Sequence, residues 1–262
     1  MPPSKAKEAS DKLRQAILDA TLQSVQARNL YSEQVAFDVT GSLSDAQEQV
    51  VRSILGFKPL KKLPENRAAA LAGMKALEAE IGEVMAQLQR DTTLRFRSAS
   101  KEAAFQGVYS SIEDLTRAQL PFYADLTPKG IDKLASTAFT IMDTDALDFA
   151  ANYTLQLAGD VNAETKAGIY RTIRAAIATG RGPSDIVADL GEVIKDPESF
   201  RHAGSKVFSK AQYRMEVIAR TEVLRAHQQG KKKFHQAVGI SLLEWFTMED
   251  ERVCRQCGPL NG

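Results

Sequence analysis

Apolar residues recur along this chain at helical spacing almost everywhere, while strict alternation of the kind a half-buried strand needs is nearly absent. Ala, Leu, Gln, Glu, Lys and Arg fill most windows, so intrinsic propensity agrees with the pattern and the expected fold is mainly α. From Lys5 to Arg28, Leu13, Ile17, Leu22 and Val25 fall roughly on one side of a first helix. The turn residues of "VTGSLSD" (Val39 to Asp45) then predict an interruption and a Ser-led restart. "GFKPLKKLPEN" (Gly56 to Asn66), with two prolines, is the first clear break.

Beyond it, Met74, Leu77, Ile81, Val84 and Leu88 step by three and four, the a and d positions of a short heptad seam that calls for a partner helix. The segment from Thr92 to Leu120, with Phe96, Phe105, Val108, Ile112 and Leu115, is expected to return as the second arm of a hairpin. "LPFYADLTPKG" (Leu120 to Gly130) marks a boundary, giving a helical region at 1–125, a candidate partner-contact hairpin, and a second unit at 126–262.

In the second unit, an Asp or Thr of "MDTD" is expected to cap a helix with Leu147, Ala150, Ala151, Thr154 and Leu155 on one face; capping also explains Asp143, Asp145 and Asp148 better than a calcium loop does. A further helix is read from Ala163 to Thr179. Gly180 suits a left-handed C-cap, Pro183 a first helical position and Asp185 the first turn of the next helix. A long helix is expected from about Lys210 to Val238, closed by Gly239. "SLLEWF" (Ser241 to Phe246) is the best strand candidate, leading into an acidic turn and a small cysteine module.

Composition narrows the function classes. The 262 residues are 44% apolar with a net charge of +1, enough to bury a substantial core but without the basic excess of a dedicated nucleic-acid binder. No apolar run approaches the ~18 residues of a membrane span, and the opening residues lack the apolar core of a secretory signal, so synthesis in a cytosol is expected. Both cysteines lie in the last nine residues, which leaves the fold to packing alone.

Charge is nevertheless unevenly placed. Between Phe200 and His235 stand nine basic residues, among them Lys210, Arg214, Arg225, Lys231, Lys232 and Lys233, against only Glu216 and Glu222. Such a helix can face DNA phosphates, an acidic protein surface or solvent. Glu222, three residues before Arg225 and in line with Ile218 and Ala226, is expected to be a partly buried, locally paired carboxylate. Cys254 and Cys257, with Gly258 after them, have the spacing of a zinc knuckle, but a structural zinc needs four ligands. His227 and His235 are ~12 Å apart along one helix and cannot share an ion. Free thiols or one local disulfide are therefore expected, with zinc only if further ligands come from outside this chain. No serine, histidine and carboxylate arrangement emerges from the spacing, and no enzymatic activity is expected.

Ile218 to Gly262 resembles the Mu F-like phage head morphogenesis family, the minor capsid proteins of tailed bacteriophages. The matching elements are Arg220, Thr221 and Glu222 within "ARTE", Gly230 closing the next helical turns, Trp245, Asp250, Cys254, Cys257 and Gly262, with the helix pair around "IATGRGPSDIVADL" as lead-in, so that about 140–262 are covered. The family's later Pro-His and Cys-Arg-Cys group is lacking. The resemblance implies a structural part of a phage head, inside the capsid near the portal and in the host cytoplasm during assembly. Its implied partners are portal, capsid or scaffold proteins and packaged DNA, with a role in head assembly, DNA packaging or ejection. Two alternatives remain open: a nucleic-acid adaptor using the basic helix 200–235 and the knuckle, and the N-terminal module of a phage-derived toxin.

Overall fold

In a computed structural model the described residues are 5–63, 65, 67–118, 122–141, 145–191 and 206–240. They form six α-helices and one short 3-10 turn, with no strand among them. The helices are α1 (Lys5–Gly56), α2 (Arg67–Arg117), α3 (Pro128–Ile141), α4 (Asp145–Thr179), α5 (Pro183–Leu190) and α6 (Val207–Ala237); the 3-10 turn, Lys58–Lys62, lies between α1 and α2. The expected strand at Ser241–Phe246 and the cysteine module fall outside the described residues.

At 1.5 Å per residue, α1 and α2 are rods of roughly 75–80 Å. The turn expected at Val39–Asp45 does not form: α1 runs straight through it. Val39 and Leu43 are fully buried on one stripe, and the turn-forming side chains bond back into the helix. Thr40 Oγ1 donates to the Ala36 and Phe37 carbonyls, and Ser42 Oγ to that of Asp38. Gly41 is an exposed helical residue with nothing near it. Likewise α2 does not fold back at Thr92, whose hydroxyl donates to the Leu88 carbonyl 2.8 Å away within a continuous helix. α2 packs not on a returning arm but on α1, joined to it through the predicted break at 56–66, and on α4 and α6.

The seam's period also differs from the expected heptad. Ala70, Met74, Leu77, Ile81, Met85, Leu88, Thr92, Phe96, Ala99 and Ala103 are buried, a 4-3-4 spacing that repeats every 11 residues. Ser32, Val35, Val39, Leu43, Ala46, Val50 and Ile54 do the same on α1. A helix of 3.6 residues per turn falls about 20° short of two turns in 7 residues and runs about 20° past three turns in 11, so the 11-residue stripe drifts more slowly along the rod than a heptad stripe and in the opposite sense. Met85 therefore takes the buried site that a heptad assigns to Val84, and Val84 sits half-buried at the edge.

The helix read from Ala163 is the second part of α4, which is continuous from Asp145. Thr154, Ala158, Val161, Asn162, Thr165, Ile169 and Ile173 form its buried stripe. Gly180, with φ +74°, ends it, and Asp185 accepts the Gly182 amide at 3.2 Å in the first turn of α5, as the capping signals predict.

One buried cluster gathers side chains of α1, α2, α4, α5 and α6, including Val39, Ile81, Phe96, Ile169, Leu190, Phe208 and Met215. A smaller one joins the ends of α2 and α6 to α3 through Val108, Ile112, Ile131, Ala135 and Phe234. Both draw on residues from either side of position 125. The helix α6 lies between α1, α2 and α4, so the α-helix with the highest basic density is also the central strut of the fold.

Candidate functional site

The inner face of α6 must bury polar groups because the sequence places them there. Glu222 is 3% exposed, and its Oε2 accepts from Arg225 Nη1 at 2.8 Å and from Thr154 Oγ1 on α4 at 3.2 Å. Arg225 in turn lies over the Tyr153 ring, 5.1 Å from its centroid. Six residues earlier Glu216 pairs with Arg220 at 2.6 Å, while its second oxygen is buried without a partner; burial pushes its carboxyl pKa up, opposed by Arg220. A parallel contact between α4 and α2 is made by Asn162, whose Nδ2 donates to Gln89 Oε1 at 2.7 Å and Thr92 Oγ1 at 3.2 Å.

The basic side chains of α6 are largely engaged. Lys210 and Arg214 both pair with Glu164, Arg225 with Glu222, and Lys231 with Asp114 at 2.9 Å. Lys232 is exposed, and Lys233 also has a partner. The outward face carries Tyr213 (50% exposed), Val217 (44%), Arg220 and Thr221, with half-buried Leu224. At 100° per residue these five fall within about 100° of one another, a continuous stripe with an apolar centre and polar flanks.

Gly230 does not close a helix. It sits within α6, against α2, at a crossing of backbone on backbone: a Cβ there would stand 2.0 Å from the Ala104 carbonyl oxygen, and one on Gly107 would stand 2.1 Å from that of His227. Only hydrogen fits between these backbones.

Beside this crossing α1, α2 and α6 enclose a cavity of about 450 Å³. Its floor is buried Ala103, Ser110, Val223 and His227; Arg28, Tyr31, Tyr109 and Glu113 form the walls, and exposed Glu102 and Arg117 stand at the rim. His227 is 4% exposed, with Nε2 3.5 Å from Ser110 Oγ and a buried Nδ1 that has no partner. Arg28 Nε is likewise buried and unpartnered. Burial, then Arg28 and Lys231, depress the His227 pKa to about 4, so its ring is neutral at pH 7. Burial and then Glu102 raise that of Tyr31; burial and then Glu113 raise that of Tyr109, so both hydroxyls keep their protons.

Of the residues singled out from the sequence, the structure thus brings Glu222 and Arg225 together, leaves Arg220 and Thr221 on the outer face, and ties Lys210, Arg214 and Lys231 to carboxylates of other helices. Trp245, Asp250, Cys254 and Cys257 lie outside the described residues, among which no group of three or more His, Cys, Asp or Glu is placed to hold a metal. No described helix is long and apolar enough to cross a membrane. The cavity was not legible beforehand: His227 stood out only as a zinc candidate, and Arg28, Tyr31 and Ser110 carry no spacing that joins them. The sole signal was a run of small residues, Gly107, Ser110 and Ser111, on an otherwise apolar stripe.

No known protein family, curated protein or solved structure matches this chain.

Proposed function

We propose that this chain is a structural minor head protein of a tailed bacteriophage, held inside the capsid near the portal, where it serves head assembly and the packaging or ejection of DNA. The resemblance of residues 218–262 to the Mu F-like family supports the reading. The single observation that carries it is the double role of α6: the helix bearing Arg220, Thr221 and Glu222 is locked into the core on one side and presents Tyr213, Val217 and Arg220 on the other. A rigidly mounted stripe of Tyr, Val and Arg has the composition of a protein contact surface. In this reading the chain is not an enzyme and has no resident cofactor; Cys254 and Cys257 bind zinc only with ligands supplied by a partner.

Protein contact is favoured over DNA contact because Lys210, Arg214, Arg225 and Lys231 each already face a carboxylate. Releasing counterions from DNA would first require breaking those pairs. The test is co-expression with portal, scaffold and major capsid proteins, taken from beside its gene where these are encoded there. The chain should co-purify with portal or capsid assemblies, and Tyr213→Asp with Val217→Asp should reduce that recovery by at least roughly tenfold. Recovery of the chain in none of these assemblies, or undiminished recovery of the double variant, would count against the proposal; tight, steeply salt-dependent binding to duplex DNA alone would favour the adaptor reading.

A further inference from the structure

We infer that the cavity between α1, α2 and α6 is a binding site for a small molecule with one oxyanion group, a carboxylate or phosphate, received by Arg28 and His227. Its volume, about 450 Å³, lies in the range of small-ligand pockets, ~300–1,000 Å³. Size alone would prove little. The stronger argument is that two of its lining residues, Arg28 and His227, each carry a nitrogen, Nε and Nδ1 respectively, that is buried without a hydrogen-bond partner. Buried polar groups are nearly always satisfied, and an orphaned one carries its full desolvation cost.

The chemistry of these atoms selects the ligand. A guanidinium has only donors, so whatever satisfies Arg28 must supply an acceptor, which excludes a simple cation. Arg28 keeps its charge, and the preferred acceptor is therefore anionic. His227 can donate or accept at Nδ1 according to its tautomer and so fits either a carboxylate or a phosphate oxygen. Beyond them, the carboxylates of Glu102 at the rim and Glu113 in the wall outnumber the one rim cation, Arg117, and disfavour a second negative charge. The ligand is thus singly anionic at its buried end and rich in donors at the other, with a body lying between Tyr31 and Tyr109.

The test uses the full chain labelled with nitrogen-15, observing the Arg Nε–H and imidazole nitrogen resonances at pH 7. Inorganic phosphate and acetate are titrated separately, with sodium chloride at equal ionic strength as control. The expected result is a saturable shift of the Arg28 and His227 signals with at least one oxyanion and none with chloride; which anion saturates distinguishes phosphoryl from carboxylate ligands. Arg28→Gln should weaken binding by at least roughly tenfold, and Arg28→Lys, which keeps the charge but loses the Nε donor, should also weaken it. Arg90→Gln, in the groove lined by Gln49, Arg52 and Glu83 at the α1–α2 turn, should leave it unchanged. Circular dichroism verifies that each variant is folded. Absence of a saturable shift with either anion, as for a cavity filled by water alone, or shifts that persist in both Arg28 variants, would overturn the inference.

Discussion

Replacing Gly230 by alanine tests the α2–α6 crossing with the smallest possible change. The added methyl would stand 2.0 Å from the Ala104 carbonyl oxygen, whereas ordinary contact begins near 3.4 Å. The obstacle is backbone inside a 51-residue helix, so no side chain can swing aside. α6 would have to retreat by more than about 1 Å, a gap that forfeits a quarter to a half of each dispersion contact across it. Overpacking at so unyielding a point costs about 3 kcal/mol, and alanine's helix preference over glycine offsets about 1 kcal/mol, leaving a net loss of about 2 kcal/mol. Gly41→Ala provides the control: it is also helical but has nothing within 4 Å, so the same methyl should stabilise by up to ~1 kcal/mol. Urea unfolding followed by far-UV circular dichroism reads both as midpoint shifts of opposite sign at constant slope. Gly107→Ala meets the His227 carbonyl at 2.1 Å and fails by the same separation, so combining it with Gly230→Ala should cost less than the sum of the two. A Gly230→Ala protein as stable as the parent, or stabilised like Gly41→Ala, would refute the close crossing.

Glu222→Ala removes a buried acceptor of the Thr154 hydroxyl and leaves Arg225, itself 43% exposed, to water; a loss of about 1–3 kcal/mol is expected, with Glu222→Gln milder, both measurable by urea titration. His227 gives a pH signature. Its folded pKa, about 4, lies below the ordinary 6.5, so the unfolded chain binds a proton that the native protein refuses; stability is full above pH 6.5 and falls by about 3 kcal/mol as the pH drops toward 4. His227→Gln should flatten that decline. His235, also depressed by burial, adds to it with the same sign. Glu216, with its carboxyl pKa raised by burial, acts oppositely just above pH 4.5, so Glu216→Gln should steepen the fall. Asn162→Ala removes the donor that Gln89 and Thr92 share across the α2–α4 contact, and a loss of about 1–2 kcal/mol in the same titration is expected.

Local chemistry was readable from the chain because it acts over a few residues. The break at 56–66, the Gly180 and Pro183 punctuation, the span of α6 and the Glu222–Arg225 pair are all decided within one or two turns, and each stands in the structure where the residues place it. Continuity was misjudged where turn-forming residues lie on a helix. Thr40, Gly41 and Ser42 favour a turn in isolation, but burying Val39, Leu43 and Ala46 against the rest of the core outweighs the few tenths to ~1 kcal/mol per residue that propensity contributes. The same holds for the α4 segment around Asn162.

Packing partners were beyond reach for a different reason. The 11-residue stripe on α2 shows that one face is buried, but whether its cover is a returning arm or the helices α1, α4 and α6 depends on residues many turns away in sequence. Gly107 meets His227, and Gly230 meets Ala104, across more than a hundred residues of chain. Nothing in the neighbours of either glycine records that a backbone lies 2 Å from where its side chain would begin. The cavity is a remainder of the same kind: Arg28, Ser110 and His227 converge because three rods cross at an angle and spacing set by those glycines, and a void between rods has no sequence of its own. Helices could be located from the order of residues because hydrogen bonding and capping are local; which helix covers which, and where their meeting leaves polar atoms without partners, was settled only when distant surfaces were desolvated together.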